Sequence, residues 1–232
     1  DSSTDETPAI LSALVAELND PRIQLTLKAA NEGQNKTTNN LMRRATGEYI
    51  VALPCDDLIW PEKLAKQVAY LDANPDCGIV FAQPRFVLHD GTPYKYPHDG
   101  IENIRNKLKS DWARIFQSGN VFFIPTCMYR RSLHEKLGYY SEALPILADL
   151  EWYVRVTADH GMHILEEPLA TITIRKDNGN LSSMTADTME KISDELNVIR
   201  DRHWPGDRTK TKTYFATPFY ELKGYSPYIR AM

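Results

Sequence analysis

The sequence predicts an α/β fold in which buried strands alternate with amphipathic helices. Residues 49–53 (YIVAL) form an uncharged, partly β-branched run suited to a strand buried on both faces of a parallel sheet. Pro61 then opens a helix, because its fixed φ and missing N–H are tolerated in the first turn. Leu64, Val68 and Leu71 recur behind it at helical spacing. A second uncharged run, Cys77 to Gln83, returns the chain to a buried strand.

The remaining elements follow the same logic. Asp1 to Asp5 is polar and turn-like, and Ile10, Leu11, Leu14, Val15 and Leu18 predict a helix over 6–18, with Ser3 or Thr4 as its N-cap. Residues 22–28 (RIQLTLK) alternate polar and apolar and read as a short strand. Residues 31–35 are a loop, and 37–46 the helix behind it. Phe86 to Leu88 extends the Cys77 strand to a hairpin turn at His89-Asp90-Gly91. Tyr94 to His98 is a polar, aromatic loop. Ile104, Leu108, Trp112, Ile115 and Phe116 predict a helix over 102–116, broken by Gly119-Asn120. Residues 121–128 return to strand, and 130–138 form a short helix closed by Gly138. Trp152, Val154, Val156 and Ala158 mark a further helix, with strands at 163–167 and 169–174 after it. A long amphipathic helix over 186–203 is carried by Met189, Ile192, Leu196 and Ile199.

Two acids, Asp56 and Asp57, stand just past the 49–53 run, at the strand end where open α/β sheets bind ligands. Adjacent carboxylates repel, so holding both ionised calls for a cation or hydrogen-bond donors. Mg²⁺ or Mn²⁺, reached through one or two carboxylates plus phosphate oxygens, suits such a pair. The alternative role for the pair is to end the strand and cap the next helix.

The segment 47–64, GEYIVALPCDDLIWPEKL, resembles the metal-site segment of GT-A glycosyltransferases of family 2, GEYIxxLDxDDxxxPxxL. Three further blocks occur in the family's order. Residues 1–5 (DSSTD) resemble DGSTD. Asn31-Glu32-Gly33 with Asn39 and 45–48 (ATGE) resembles NxGxxxARNxGxxxAxGE. Residues 148–155 (ADLEWYVR) resemble the EDxDLWxR block that carries the catalytic base. The resemblance implies a GT-A, Rossmann-like mixed sheet flanked by helices over residues 1–203, followed by an aromatic, lysine-containing extension over 204–232. It also implies inverting transfer of a sugar from a UDP-, dTDP- or GDP-sugar to a saccharide or lipid-linked acceptor, in cell-envelope polysaccharide or glycolipid synthesis.

By the same resemblance Asp1 and Asn39 contact the donor, Asp56 approaches its ribose or the metal, and Asp57 ligates Mn²⁺ or Mg²⁺. Asp149 is the catalytic base, and Glu151 touches the acceptor. Asp149 also falls at a predicted helix start, where the dipole favours an ionised carboxylate by ~0.3–1 kcal/mol. The three acids 56, 57 and 149 are expected to meet at one cleft on the rim of the sheet. Several positions depart from the pattern. Ser2 replaces a glycine, Thr38 an arginine, Pro54 the first acid of the metal motif and Ala148 a glutamate. Lys36 is the nearest cation to the lost arginine, and Lys176 and Asp177 stand where relatives often have a histidine. Family members carry roughly 30–40 residues of a strand-helix-strand unit before DGSTD, whereas this sequence opens on that block, so the expectation is a fragment of a longer protein.

The chain has 232 residues, 42% hydrophobic and 25% charged, enough for one globular domain with a sizeable core. Its net charge of −4 and lack of a long basic run argue against nucleic acid as a partner. Cys55, Cys77 and Cys127 form neither a zinc pattern nor a disulfide framework, which suits a reducing compartment. With no apolar run long enough to span a bilayer, the expectation is a cytoplasmic protein, peripheral to the inner face of the membrane if its aromatic tail rests there. That tail could equally pack on the core or meet a neighbouring domain. Two other functional classes fit part of the pattern. A nucleotidyltransferase also uses paired acids and a metal, but brings a glycine-rich phosphate loop not found here. A non-catalytic binding module of the same fold would tolerate the loss of the acid at Pro54.

Overall fold

The computed structural model describes residues 2–95, 120, 122–175 and 185–203. The helix expected over 102–116, the loop at 176–183 and the tail from 204 lie outside them, as does Asp1. The chain forms two compact units, Asp1–Arg44 and Ala45–Met232.

The first unit holds α1 (Thr7–Leu18) and α2 (Gln34–Arg44). Neither Ser3 nor Thr4 caps α1. The N-cap is Glu6, without a side-chain bond, and Asp5 Oδ1 instead accepts the Thr7 N–H at 3.0 Å. Left-handed Asn19 ends the helix by returning its N–H to Val15 O. α1 buries none of its residues, and Ile10, Leu11, Leu14 and Leu18 are exposed. Residues 22–28 are not a strand: alternation permits one, but a strand needs an adjacent edge to complete its ladder. This segment is held by side chains instead, Arg44 donating to Gln24 Oε1 at 2.8 Å and to Thr26 Oγ1. Lys36 pairs with Glu32, which also binds Lys28, and the two bonds hold the Glu32 carboxyl down to about 2.

The second unit is built on a five-stranded mixed sheet. Its strands are β1 (Tyr49–Ile50), β2 (Leu58–Ile59), β3 (Cys77–Leu88), β4 (Met128–Arg130) and β5 (Gly161–Ile174), ordered β1-β4-β3-β5-β2. Only β3 and β5 run parallel. The other three pairings are antiparallel. Among the described residues the unit's helices are α3 (Lys63–Ala73), α4 (Ser132–Leu137), α5 (Ala148–Asp159) and α6 (Ala186–His203). Among the described residues no helix is long and apolar enough to cross a membrane.

The uncharged run at 77–83 becomes the centre of the sheet. Ile79, Val80, Phe81 and Ala82 on β3 are fully buried. The hairpin at 89–91 forms as expected, with Gly91 at φ +81° donating to Leu88 O. β5 joins the two strands predicted at 163–167 and 169–174, absorbing Pro168 at a register shift opposite Gln83. The 49–53 run behaves differently. Only Tyr49 and Ile50 pair, antiparallel to β4 at one sheet edge, and Leu53 is 47% exposed. An uncharged run permits a doubly buried strand, but burial needs a neighbour on each side.

α3 turns inward a face offset from its apolar stripe. Leu71 is buried and Val68 packs against the core as the spacing predicts, but Leu64 is exposed, and Lys63 and Gln67 are buried in its place. Pro125 interrupts the strand expected over 121–128 with a 3-10 turn, Ile124–Thr126, which leaves carbonyls without ladder partners. Lys63 Nζ donates to Cys127 O at 3.0 Å, and Gln67 Nε2 to Thr126 O at 2.8 Å and Val80 O at 3.2 Å. A buried carbonyl needs a donor, and this need outweighs the apolar stripe. Arg130 and Arg131 are also structural: Arg130 binds the carbonyls of Leu71 and Cys77, and Arg131 that of Gly47.

Trp152 and Tyr153 on α5 fill the space above β3 and β4. The Trp152 ring lies 4.7 Å from Tyr129 and its Nε1 donates to Gly138 O, while Tyr153 meets Phe81 edge-on at 5.3 Å. Gly78 lets the end of α5 come close. A methyl there would stand 2.9 Å from His160 Cβ and 3.3 Å from both Leu133 and Val156. Gly78→Ala is therefore expected to destabilise the fold by ~1–3 kcal/mol, read as a lower urea midpoint with an unchanged slope.

Candidate active site

Asp56 and Asp57 lie in a tight turn closed by the Asp57 N–H on Pro54 O at 3.3 Å. The turn is pinned to the carboxyl end of β5 by one residue. Thr173 donates its N–H to Asp57 Oδ1 at 2.9 Å and its hydroxyl to Asp56 O at 2.6 Å. β2 follows at once, pairing Leu58 with Thr171 and Ile59 with Ala170, so the register of β2 on β5 fixes where the turn sits. Asp56 is exposed and Asp57 half-buried. Burial pushes the Asp57 carboxyl up to about 6. The Thr173 bond pulls against that, and the neighbouring Asp56 charge adds to it.

Asp149 stands in the first turn of α5, with Leu147 as N-cap. Its Oδ1 accepts the Leu150 N–H at 2.7 Å and its Oδ2 the Asn120 amide at 2.8 Å. The helix-start position matches the sequence reading, but the charge balance differs. Burial pushes the carboxyl up to about 6, outweighing the helix start and both donors, and the Glu195 charge raises it further. Such a group remains mostly ionised at neutral pH yet is far more basic than a surface aspartate, which is the range a general base needs.

Glu151 has a different fate. Its side chain is 3% exposed and binds Arg155 (2.8 and 3.0 Å), His203 (2.9 Å) and Arg202 (3.3 Å). Burial opposes its charge, but the bonds from His203 and Arg155 together hold the carboxyl down to about 2. Glu151 is thus a buried ionic hub joining α5 to α6, and an acceptor could reach it only by opening that network. Arg155 braces α5 as expected and also binds Leu137 O and Tyr139 O.

Asn39 lies in α2, buried, in the first unit. In the second unit the acid pair is tied to the carboxyl-terminal half of the parallel strands. Asp57 reaches β5 through Thr173. Asp149 is linked through Asn120 to Phe122, and the next ring, Phe123, meets Phe86 of β3 edge-on at 5.1 Å. Among the described residues no group of three or more His, Cys, Asp and Glu side chains stands close enough to hold a metal ion. The acid pair alone still fits Mg²⁺ or Mn²⁺. Its donors are hard oxygens, a cation would relieve the repulsion that raises Asp57, and donor phosphates would complete the shell. Thr173, Asn120, Glu195 and the buried Lys63 were not singled out from the sequence. Asn120 showed there only as a helix breaker, and Glu195 as one polar residue of an amphipathic helix.

Asp57 and Asp149 titrate higher in the folded chain than the ~3.9 of a free aspartate. Between about pH 4 and 6 the folded state therefore binds more protons than the unfolded one, and stability falls as pH rises. Asp149→Asn is expected to stabilise the protein by up to about 3 kcal/mol above pH 6 and to lose that gain below pH 4. Urea midpoints across this range check it.

The family profile described as Glycosyl transferase family 2 matches residues 1–138. An uncharacterized glycosyltransferase of Methanocaldococcus jannaschii, MJ1057, is 27% identical over 211 residues, covering 88% of this chain and 65% of that protein. YwdF of Bacillus subtilis, also an uncharacterized glycosyltransferase, is 26% identical over 76% of this chain and 63% of its own. The crystal structure of S. aureus TarS 1-349 in complex with UDP-GlcNAc superposes with a TM-score of 0.64 at 20% identity, over 94% of this chain and 60% of that one. The mannosyltransferase PcManGT of Pyrobaculum calidifontis, in complex with GDP-Man and Mn²⁺, gives 0.53 at 17% identity, over 99% and 66%. The chain thus spans somewhat less than two thirds of these proteins, and the structural likeness establishes the GT-A fold. With the profile covering more than half its length, the chain belongs to glycosyltransferase family 2.

Proposed function

We propose that the chain is the donor-binding and catalytic part of an inverting glycosyltransferase that uses a nucleoside-diphosphate sugar. One observation carries this reading: two acids are pinned at the carboxyl end of a parallel strand pair, with Asp57 pushed up to about 6 by burial and by its neighbour's charge. A site so arranged favours a cation and the phosphates it brings. Asp56 and Asp57 would hold Mn²⁺ or Mg²⁺, and Asp56 would also contact the nucleotide. When bound, the ion supplies positive charge against the departing diphosphate.

The chain's own part in the chemistry falls to Asp149. An acceptor hydroxyl attacks the anomeric carbon as its bond to the diphosphate oxygen breaks. The electron pair leaves with the nucleoside diphosphate, and the hydroxyl proton passes to the Asp149 carboxylate. Attack from the face opposite the leaving group inverts the configuration. A base positioned in this way contributes ~10²–10⁴-fold. TarS with UDP-GlcNAc and PcManGT with GDP-Man and Mn²⁺ support a nucleotide sugar and a divalent ion as ligand classes. The acceptor is a saccharide or lipid-linked hydroxyl, as the family resemblance implies. The free thiols of Cys55, Cys77 and Cys127 support a cytoplasmic setting.

Asp149→Asn is expected to lower turnover by ~10²–10⁴-fold while leaving donor binding unchanged. The measurements are release of UDP from UDP-N-acetylglucosamine and of GDP from GDP-mannose. Near-normal turnover in that variant would remove the base assignment. Asp57→Ala is expected to weaken nucleotide binding in the presence of Mn²⁺ and to have little effect without it, as read by calorimetry. Equal losses in both conditions contradict the metal role.

A further inference from the structure

Asp149 is held from outside its own helix by two side chains with opposite effects. Asn120 spans a gap. Its Nδ2 donates to Asp149 Oδ2 at 2.8 Å while its Oδ1 accepts the Phe122 N–H at 2.9 Å, so the amide is fixed at both ends. That fixes the amide's orientation: the NH₂ must face the carboxylate, because the oxygen is already engaged. Glu195 of α6 reaches the chain just before α5. Both of its oxygens accept the Ile146 N–H at 3.1 Å, and Oε2 accepts the Leu147 N–H at 2.7 Å. Leu147 is the N-cap of α5, two residues before Asp149. Glu195 therefore occupies backbone donors at the head of α5 that would otherwise favour a negative charge, and places a second carboxylate beside the helix start.

We propose that Asn120 and Glu195 are a pair of positioning residues for Asp149, the amide orienting and favouring its ionised form and the carboxylate opposing it. The proposal rests on the reading of Asp149 as the base for its functional meaning, though not for its physical test. A hydrogen bond donated to an ionised carboxylate lowers its pKa, and a nearby like charge raises it. Together they hold the helix head in place while keeping its acid basic enough to take a proton. Among the described residues the other ionisable groups facing Asp149 are Cys127 after the 3-10 turn, Tyr140 in the loop before α5 and Tyr153 on α5 itself. Burial raises Cys127 to about 11 and both phenols well above their ordinary values, so all three stay neutral through the range in which Asp149 titrates.

The test is a carboxyl carbon NMR titration of the full chain labelled with ¹³C aspartate, the Asp149 signal being assigned by its loss in Asp149→Asn. Asn120→Ala removes the donor and is expected to raise the Asp149 midpoint by about one pH unit. Glu195→Gln keeps an acceptor for the Leu147 N–H but removes the charge, and is expected to lower the midpoint. Opposite shifts in the two variants support the proposal. An unchanged midpoint in either, or shifts of the same sign, overturns it. A role confined to holding the fold together would not move the two variants in opposite directions. The pH dependence of UDP release from UDP-N-acetylglucosamine, or of GDP release from GDP-mannose, separates this proposal from the base assignment. If the NMR midpoints move as expected and the acid limb of turnover does not follow, the positioning stands and Asp149 is not the base.

Discussion

The parallel ladder between β3 and β5 is the constraint on which the second unit depends. It runs from Cys77 opposite Gly161 to Leu88 opposite Ile174, with antiparallel β4 and β2 on its two sides. At one end Gly161 donates to Asp76 O at 2.8 Å, and Gly78 admits the end of α5. At the other end Thr173 lies level with Val87 and holds the Asp56–Asp57 turn. The register shift around Gln83 and Pro168 sets which β5 residue reaches that level. Because side chains alternate faces along a strand, a slip by one residue would turn Thr173 to the opposite face and release the turn.

The electrostatics of the unit follow from who the partners are rather than from burial alone. Asp149 and Glu151 are two residues apart on one helical turn, Glu151 buried and Asp149 partly so. Glu151 meets Arg155, Arg202 and His203 and is held at about 2. Asp149 meets a backbone N–H and an amide, both neutral, with a carboxylate nearby, and rises to about 6. Neutral donors offset only part of the desolvation that a full counter-charge can overcome. The same helix thus carries one acid that locks it to α6 and another left ready to accept a proton. Lys63 shows the converse case: a buried cation with a single carbonyl partner, drawn down to about 8.

Much of the fold was legible because its signals are local. The uncharged run at 77–83, the turn at 89–91, the glycine stop at 138 and the helical spacing of 186–203 depend on neighbours a few residues away. Readings that required a remote partner were less secure. Residues 22–28 alternate correctly but complete no ladder, and 49–53 pairs over only two residues. α3 buries Lys63 and Gln67 because carbonyls at 126 and 127 require donors, a demand made some 60 residues along the chain.

The candidate site divides in the same way. Sequence alone determined that two acids follow a strand and that a third opens a helix, because strand ends and helix starts are written in apolar spacing and in the residues that interrupt it. Tertiary structure decided what each acid became. Thr173 lies 116 residues from Asp57, and Glu195 lies 46 residues from Asp149. Proton affinity depends on the charges and donors that surround a group in space, and only folding brings those together.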